Sequence, residues 1–364
     1  MMADQVAELE PKPTISGGRE LASFRERKWR EHLLQFSQVR NKVLVANPHV
    51  VAPFNLEEGK PSSLGIFVES AFERKPKNLP KDKYALEFWN QHQRSVLLGR
   101  AIFADDEGRF WRDIDLKGVG FFTPQETRVT VETPGFNSGK HGKEWGLLNR
   151  DTALFDYQIS EEFLNAGIRT SRVLAIIELE EIIAKARRLS RDQAIKSGIF
   201  EDDFWPVVEV RAFGTKARIG DLSKNTRGLP RLLLEDAKGL VAQELGMTEP
   251  PSTEAYLLWF AKTLGSNMGL MHRNKWYHGG LSTDHNITLD CRIVDLDSVG
   301  HLENDEKREN ELSEAKYCLV RLAINASNLE KNNFKYDGDK ANRFVEEFLE
   351  SYKLAYSNKE SAAA

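Results

Sequence analysis

The sequence predicts an α+β fold in two lobes, a β-rich first half followed by a helical second half. Three observations carry this. Ser95 to Phe103 is an apolar run, Asp105-Asp106-Glu107-Gly108 supplies turn chemistry, and Arg109 to Leu116 returns as a second strand, so the stretch reads as a β-hairpin. Arg172 to Ile177 and Trp205 to Phe213 are further apolar runs of strand length. Beyond them the period changes: Leu257, Ala261, Leu264, Met268 and Met271 recur at helical spacing over Thr253 to His272. Leu229 to Leu245, Glu309 to Ala326 and Ala341 to Ala355 read as further helices. The division expected is an N-terminal extension over 1–82, a first lobe over 83–222 and a helical lobe over 223–360.

Composition narrows the function classes. The chain has 364 residues, 40% hydrophobic and 29% charged, as a soluble globular protein does. A net charge of −4 gives no basic field, so nucleic acid is not an expected partner. No apolar run is long enough for a membrane span, and Met1 to Pro13 is polar and acidic, without the apolar core of a secretory signal. Two cysteines, Cys291 and Cys318, suit a reducing compartment better than a disulfide framework. The expected location is cytoplasmic.

In chain order, residues 1–20 read as a disordered leader. Residues 21–47 read as a helix, from Leu21, Phe24, Trp29, Leu33, Leu34 and Val39 at mixed spacing. Five prolines break 48–82 into extended segments and loops. Residues 123–145 are polar and Gly-rich and read as a mobile loop. A helix is expected over 152–166, stopped by Gly167. A second is expected over 180–196, supported by Glu181 and Lys185 at i,i+4. Ser361 to Ala364 read as a frayed tail.

The chemistry-bearing residues sit at specific places in this layout. In Asp113-Ile114-Asp115-Leu116-Lys117 charged and apolar residues alternate, so Lys117 shares a face with two carboxylates, opposite Ile114 and Leu116. A surface lysine is the ordinary reading; the Gly118-Val119-Gly120 that follows lets backbone approach something closely. Arg211 and Arg218 stand seven residues apart. The stretch Tyr277-His278-Gly279-Gly280-Leu281-Ser282-Thr283-Asp284-His285-Asn286 is a polar loop, and Ile293-Val294-Asp295-Leu296-Asp297 follows as a short strand ending in carboxylates. One Asn and one Asp suffice for Mg²⁺ when phosphate and water complete its shell. On its own the loop is equally an ordinary polar hairpin. A zinc site from His272, His278 and His285 has no compact ligand spacing.

Taken together, the order is a strand lysine, a helix with an acid, a His-initiated loop, and an Asp after a short strand. That is the parts list of a bilobed protein-kinase-like fold. Two parts depart from ordinary kinases: Gly280 stands where the catalytic-loop Asp is expected, and the glycine-rich loop is absent. With these departures the sequence resembles the selenoprotein O family of pseudokinase-fold adenylyltransferases. The similarity rests on Asp115-Leu116-Lys117-Gly118-Val119-Gly120, on Ala166 to Ala175, on the Arg211 and Arg218 spacing followed by Ile219-Gly220, on His278 to Asp284, and on the nine-residue spacing of Asn286 and Asp295.

The resemblance implies ATP- and Mg²⁺-dependent transfer of AMP to Ser, Thr or Tyr hydroxyls of a protein substrate, with Mn²⁺ as a substitute ion. ATP would be bound flipped relative to a kinase, with the γ-phosphate inward. By position, Lys117 would bind phosphate and be held by Asp156, one methylene shorter than the family's Glu, with Glu161 as the alternative partner. Arg94 and Gly146 fall at nucleotide-contacting positions. Arg211 and Arg218 would hold the inner phosphates in bidentate forks. Either Asp284 or His285 would face the acceptor, with Asp284 favoured as the general base, and Asn286 and Asp295 would be metal ligands; Asp297 either joins them or caps the strand end. Two other readings remain open at this point: a phosphotransferase of the same fold, and an inactive scaffold.

Overall fold

The computed structural model describes residues 33–50, 56–68, 84–87, 95–120, 146–184, 187–199, 201–223, 229–281, 284–330 and 334–357. They form an α+β protein, an N-terminal antiparallel sheet region followed by a largely helical part. Two compact units divide the chain. The first takes the described residues up to Tyr157 together with Arg172–Ala212; the second takes Gln158–Ser171 and everything from Phe213 onward. Among the described residues no helix is long and apolar enough to cross a membrane.

The first unit is built on one nine-stranded sheet. Its strands are β1 (Leu33–Gln38), β2 (Asn41–Ala46), β3 (Ile66–Val68), β4 (Tyr84–Glu87), β5 (Ser95–Ala104), β6 (Phe110–Lys117) and β7 (Leu148–Asn149). Helix α1 (Arg150–Asn165) and strands β8 (Arg172–Leu179), β9 (Glu181–Ala184) and β10 (Arg187–Ser190) follow, then α2 (Arg191–Lys196) and β11 (Pro206–Phe213). The sheet order is β2-β8-β11-β6-β5-β4-β1-β3, with β7 pairing β11, while β9 and β10 form a separate hairpin. The expected hairpin is β5–β6, with Ser95 opposite Lys117 and Ala104 opposite Phe110. Asp105 closes it, accepting from the backbone N–H of Glu107 and of Arg109. Leu148, Ala153, Val173, Ile176 and Val207 pack together where β7, α1, β8 and β11 meet. Burying each such aliphatic side chain contributes about 1.5–3 kcal/mol.

Three sequence expectations are corrected here. The described end of the helix expected over 21–47 is instead β1 and β2; residues 21–32 lie outside the described set. Val43-Leu44-Val45 is β-favouring, and the mixed apolar spacing had no true 3.6 period. The helix expected over 180–196 is the β9–β10 hairpin followed by the short α2. Ile182 pairs with Leu189, and Glu181 is held by Arg188 and Arg40, so tertiary pairing overrides a helix-favouring composition. The capping box of Ser190 with Gln193 then starts α2 late. The alternation in β6 does not mark one wet face either: every residue of β6 is buried. The leader, the 123–145 loop (beyond residue 120) and the tail lie outside the described residues.

The second unit holds α3 (Leu229–Glu244), α4 (Thr253–Arg273), β12 (Trp276–Tyr277), β13 (Gly300–His301), α5 (Asp305–Leu329) and α6 (Gly338–Ser357). Helix α4 starts on Ser252, whose hydroxyl accepts from the Ala255 N–H, and carries the buried stripe expected of it. Its Gly265 and Gly269 let α6 lie close: a Cβ there would come 2.2 Å from the Phe348 carbonyl and 2.6 Å from that of Tyr352. Ile293 is not part of a strand. It makes single bridges to Thr170 and Ile287, and a 3-10 turn over Leu296–Ser298 follows Asp295.

Candidate functional site

In the first unit, Lys117 is 2% exposed at the end of β6, and its ammonium lies 2.8 Å from Asp156 Oδ2 on α1. A second carboxylate, Glu209 on β11, stands 3.9 Å away. Arg211, two residues further along the same strand face, grips Asp115 through Nε and Nη2, both at 2.8 Å, and Nη2 also reaches Ser95 Oγ at 3.2 Å. Burying an unpaired charge costs several kcal/mol, so this charged face is stable only because acids and cations alternate across it. Burial pushes the Glu209 carboxyl up to about 8, with Asp156 adding to the shift and Lys117 and Arg211 opposing it.

Gly118 and Gly120 both have positive φ, 94° and 101°. What approaches closely at Gly118 is protein: a Cβ there would fall 2.4 Å from the Val207 carbonyl oxygen and 2.8 Å from Leu148 Cβ. The Gly120 N–H then donates to the Gly146 carbonyl at 3.2 Å, which ties the chain after Lys117 to that glycine. Of the two acids expected as partner for Lys117, Asp156 makes the contact. Glu161 lies on the part of α1 that belongs to the second unit. Arg94 lies outside the described residues.

In the second unit, the polar loop is fixed from below by Glu311 on α5. Its Oε1 accepts from the backbone N–H of His278 at 2.7 Å and of Gly279 at 3.1 Å, and its Oε2 meets His272 Nε2 at 2.8 Å. The His278 ring spans Val294 and Ser298: Nε2 lies 2.9 Å from the Val294 carbonyl and Nδ1 3.3 Å from Ser298 Oγ. A carbonyl only accepts, so Nε2 is the donor in that contact. Both buried histidines therefore hold the loop, and no group of three or more metal-ligating side chains exists among the described residues.

A short hairpin lies between Asn286 and Asp295. Ile287 bridges Ile293, and the Val294 N–H donates to the Asn286 carbonyl at 3.0 Å, so Asn286 stands across from Val294, next to Asp295. The turn between them, Thr288 to Arg292, passes through Cys291 with φ 59°. The Asn286 Nδ2 donates to the Gly280 carbonyl at 2.8 Å, and Oδ1 is the acceptor end of the amide. Asp295 is left-handed, φ 69° and ψ 55°, a conformation uncommon outside glycine and often found at functional positions. Asn and Asp side chains at neighbouring backbone positions are oxygen donors of the type Mg²⁺ takes beside phosphate and water.

No protein-family model and no curated protein matches this chain.

Asp284 precedes that pair. Its Oδ2 lies 3.1 Å from Arg321 Nη2 on α5, and its Oδ1 lies 3.5 Å from His285 Nε2. The Gly220 N–H donates to the Asp284 carbonyl at 2.7 Å. Any side chain at Gly220 would strike the same residues, its Cβ falling 2.3 Å from His285 Cε1 and 2.8 Å from Asp284 Oδ1. Arg218 is 7% exposed; it bridges Thr288, and its N–H donates to Asp221 Oδ2 at 2.9 Å. Asp297, in the 3-10 turn, is exposed.

Glu209, Glu311 and Arg321 were not singled out from sequence. Glu209 did have a signal, as a lone acid inside Val207-Val208-Glu209-Val210. The others had none, because each acts through a contact distant in the chain.

Proposed function

We propose that this protein is a kinase-like, selenoprotein O-like adenylyltransferase that moves AMP from ATP to a protein hydroxyl with the help of Mg²⁺. The observation that carries this reading is the buried Lys117–Asp156 pair on strand and helix, at the positions the resemblance assigns to the phosphate-binding lysine and its acid. Asp156 neutralises the ammonium while holding it in one place, so Lys117 meets a phosphate already oriented. Asn286 Oδ1 and the Asp295 carboxylate would hold Mg²⁺, which supplies charge neutralisation on the phosphates when bound.

Asp284 takes the proton of the acceptor hydroxyl. The hydroxyl oxygen bonds to the α-phosphorus, the bond to the outgoing pyrophosphate breaks, and the protein leaves as its AMP ester. Arg321 and His285 orient the two oxygens of Asp284. Arg218, Gly146 and Arg94 remain assigned to the nucleotide. The Nε–Nη2 edge of Arg211 is engaged by Asp115, so Arg211 would contribute its positive charge rather than that edge.

That engagement favours a second reading, phosphate transfer to a protein or small molecule, because a flipped nucleotide needs extra cations around its inner phosphates. Labelling decides. AMP transfer puts label from α-labelled but not γ-labelled ATP on the acceptor and adds about 329 Da, against about 80 Da for phosphate. Label from γ-labelled ATP alone would overturn the adenylyl reading. Gly220→Ala should cut the rate at least about tenfold at nearly unchanged stability, since its methyl displaces the base rather than opening the core. Initial rates beside a urea unfolding curve check this, and an unchanged rate removes Gly220 from the site.

A further inference from the structure

Lys117 has two acids within reach, and only one of them has a structural role so far. Glu209 is fully buried on β11, with Oε2 3.9 Å from the Lys117 ammonium. Among the described residues neither of its oxygens has a hydrogen-bond partner. Asp156 holds the same ammonium at 2.8 Å. A buried carboxylate without a hydrogen bond is costly, and a strand of Val207, Val208 and Val210 offers it nothing in exchange.

We propose that Glu209 is a positioning residue that competes with Asp156 for Lys117: ionised, it draws the ammonium away from phosphate, and neutral, it releases it. This rests on the nucleotide reading for its consequence, though not for the competition itself. The groups that face Glu209 are Lys117 and Asp115 on β6, Asp156 on α1 and Arg211 on its own strand; β8 opposes it with Ile176, which does not titrate. Burial and the nearby Asp156 favour the neutral acid at ordinary pH, with a transition at about 8. Below that, one of the two acids beside the ammonium, Asp156, is ionised and the other is neutral. Above it, two carboxylates enclose one ammonium, and a phosphate entering there meets an excess of negative charge.

The test is Mg²⁺-ATP affinity by calorimetry from about pH 7 to 9.5, for the parent, Glu209→Gln and Glu209→Met. The parent should weaken about tenfold per pH unit above the transition, while both variants stay flat. Parallel profiles for parent and variants would overturn the proposal. If none of the three binds ATP, the nucleotide reading has failed, and a double-mutant cycle in thermal unfolding judges the competition separately. Glu209→Gln and Lys117→Met should then show a coupled shift in midpoint that appears as pH rises through about 8. Additive shifts at about pH 9 would overturn it.

Discussion

Asp295→Asn is expected to slow the proposed AMP transfer by about three orders of magnitude while moving the urea midpoint little. A metal ligand contributes several kcal/mol of transition-state charge stabilisation, and about 4 kcal/mol is roughly a thousandfold in rate. Asn is the right substitution because Asp295 sits at φ 69°, ψ 55°, where Asn is tolerated and most other residues are strained. It keeps the side-chain shape and removes only the charge. Ala would confound the measurement by adding a left-handed backbone cost of about 1–2 kcal/mol. The neighbouring Asn286 keeps its bond to Gly280 in the variant, so its oxygen remains in place. Rates with α-labelled ATP, measured over a range of Mg²⁺, should show higher metal demand as well as lower turnover. A rate within tenfold of the parent would remove Asp295 from the metal shell. A parent with no rate at all, beside an unchanged cellular role in the variant, would instead favour the inactive scaffold.

Legibility from sequence divided along physical lines. The β5–β6 hairpin, α1 and the helices α3 to α6 could be read from their own periodicity, helped by the turn at Asp105 to Gly108 and the stop at Gly167. The β1–β2 and β9–β10 pairs could not. Glu181 to Ser190 has helical composition, and its pairing as a hairpin comes with a contact between Glu181 and Arg40, 141 residues away in the chain. Lys117 was legible as a chemical residue but not as a buried one, because burial needs β11 and α1 to supply Asp156, Glu209 and Arg211 beside it. The same limit applies to Arg211. Its spacing from Arg218 is visible in the chain, whereas its grip on Asp115 is a property of neighbouring strands. For Asn286 and Asp295 the spacing was visible in the chain, but the hairpin between them, with its five-residue turn from Thr288 to Arg292 and Asn286 opposite Val294, was not read from it.

That turn makes the second large effect predictable. Asp290→Ala should destabilise the second unit by about 3–5 kcal/mol, the cost of leaving buried charge uncompensated. Asp290 is fully buried; Oδ1 accepts from Thr288 Oγ1 at 2.6 Å and Oδ2 from Arg292 Nε at 2.7 Å, with Arg169 at 3.8 Å. Burial alone would raise its carboxyl, but Arg292 and Arg169 outweigh it and hold the group below the usual carboxylate range. A depressed folded value means the stabilisation is present above the unfolded value, near 3.8, and is lost as pH falls through the folded one. The deficit of the variant should therefore be full at neutral pH and shrink as acid approaches and passes that range. Urea unfolding at about pH 7 and at about pH 3 measures both limbs. A neutral-pH loss under about 1 kcal/mol would show that Glu244, which also meets Arg169 and Arg292, carries the network without Asp290. The consequence reaches the proposed metal ligands, because Thr288 to Arg292 is the turn that sets Asn286 opposite Val294, next to Asp295. Metal affinity should fall in Asp290→Ala even under conditions where the unit stays folded.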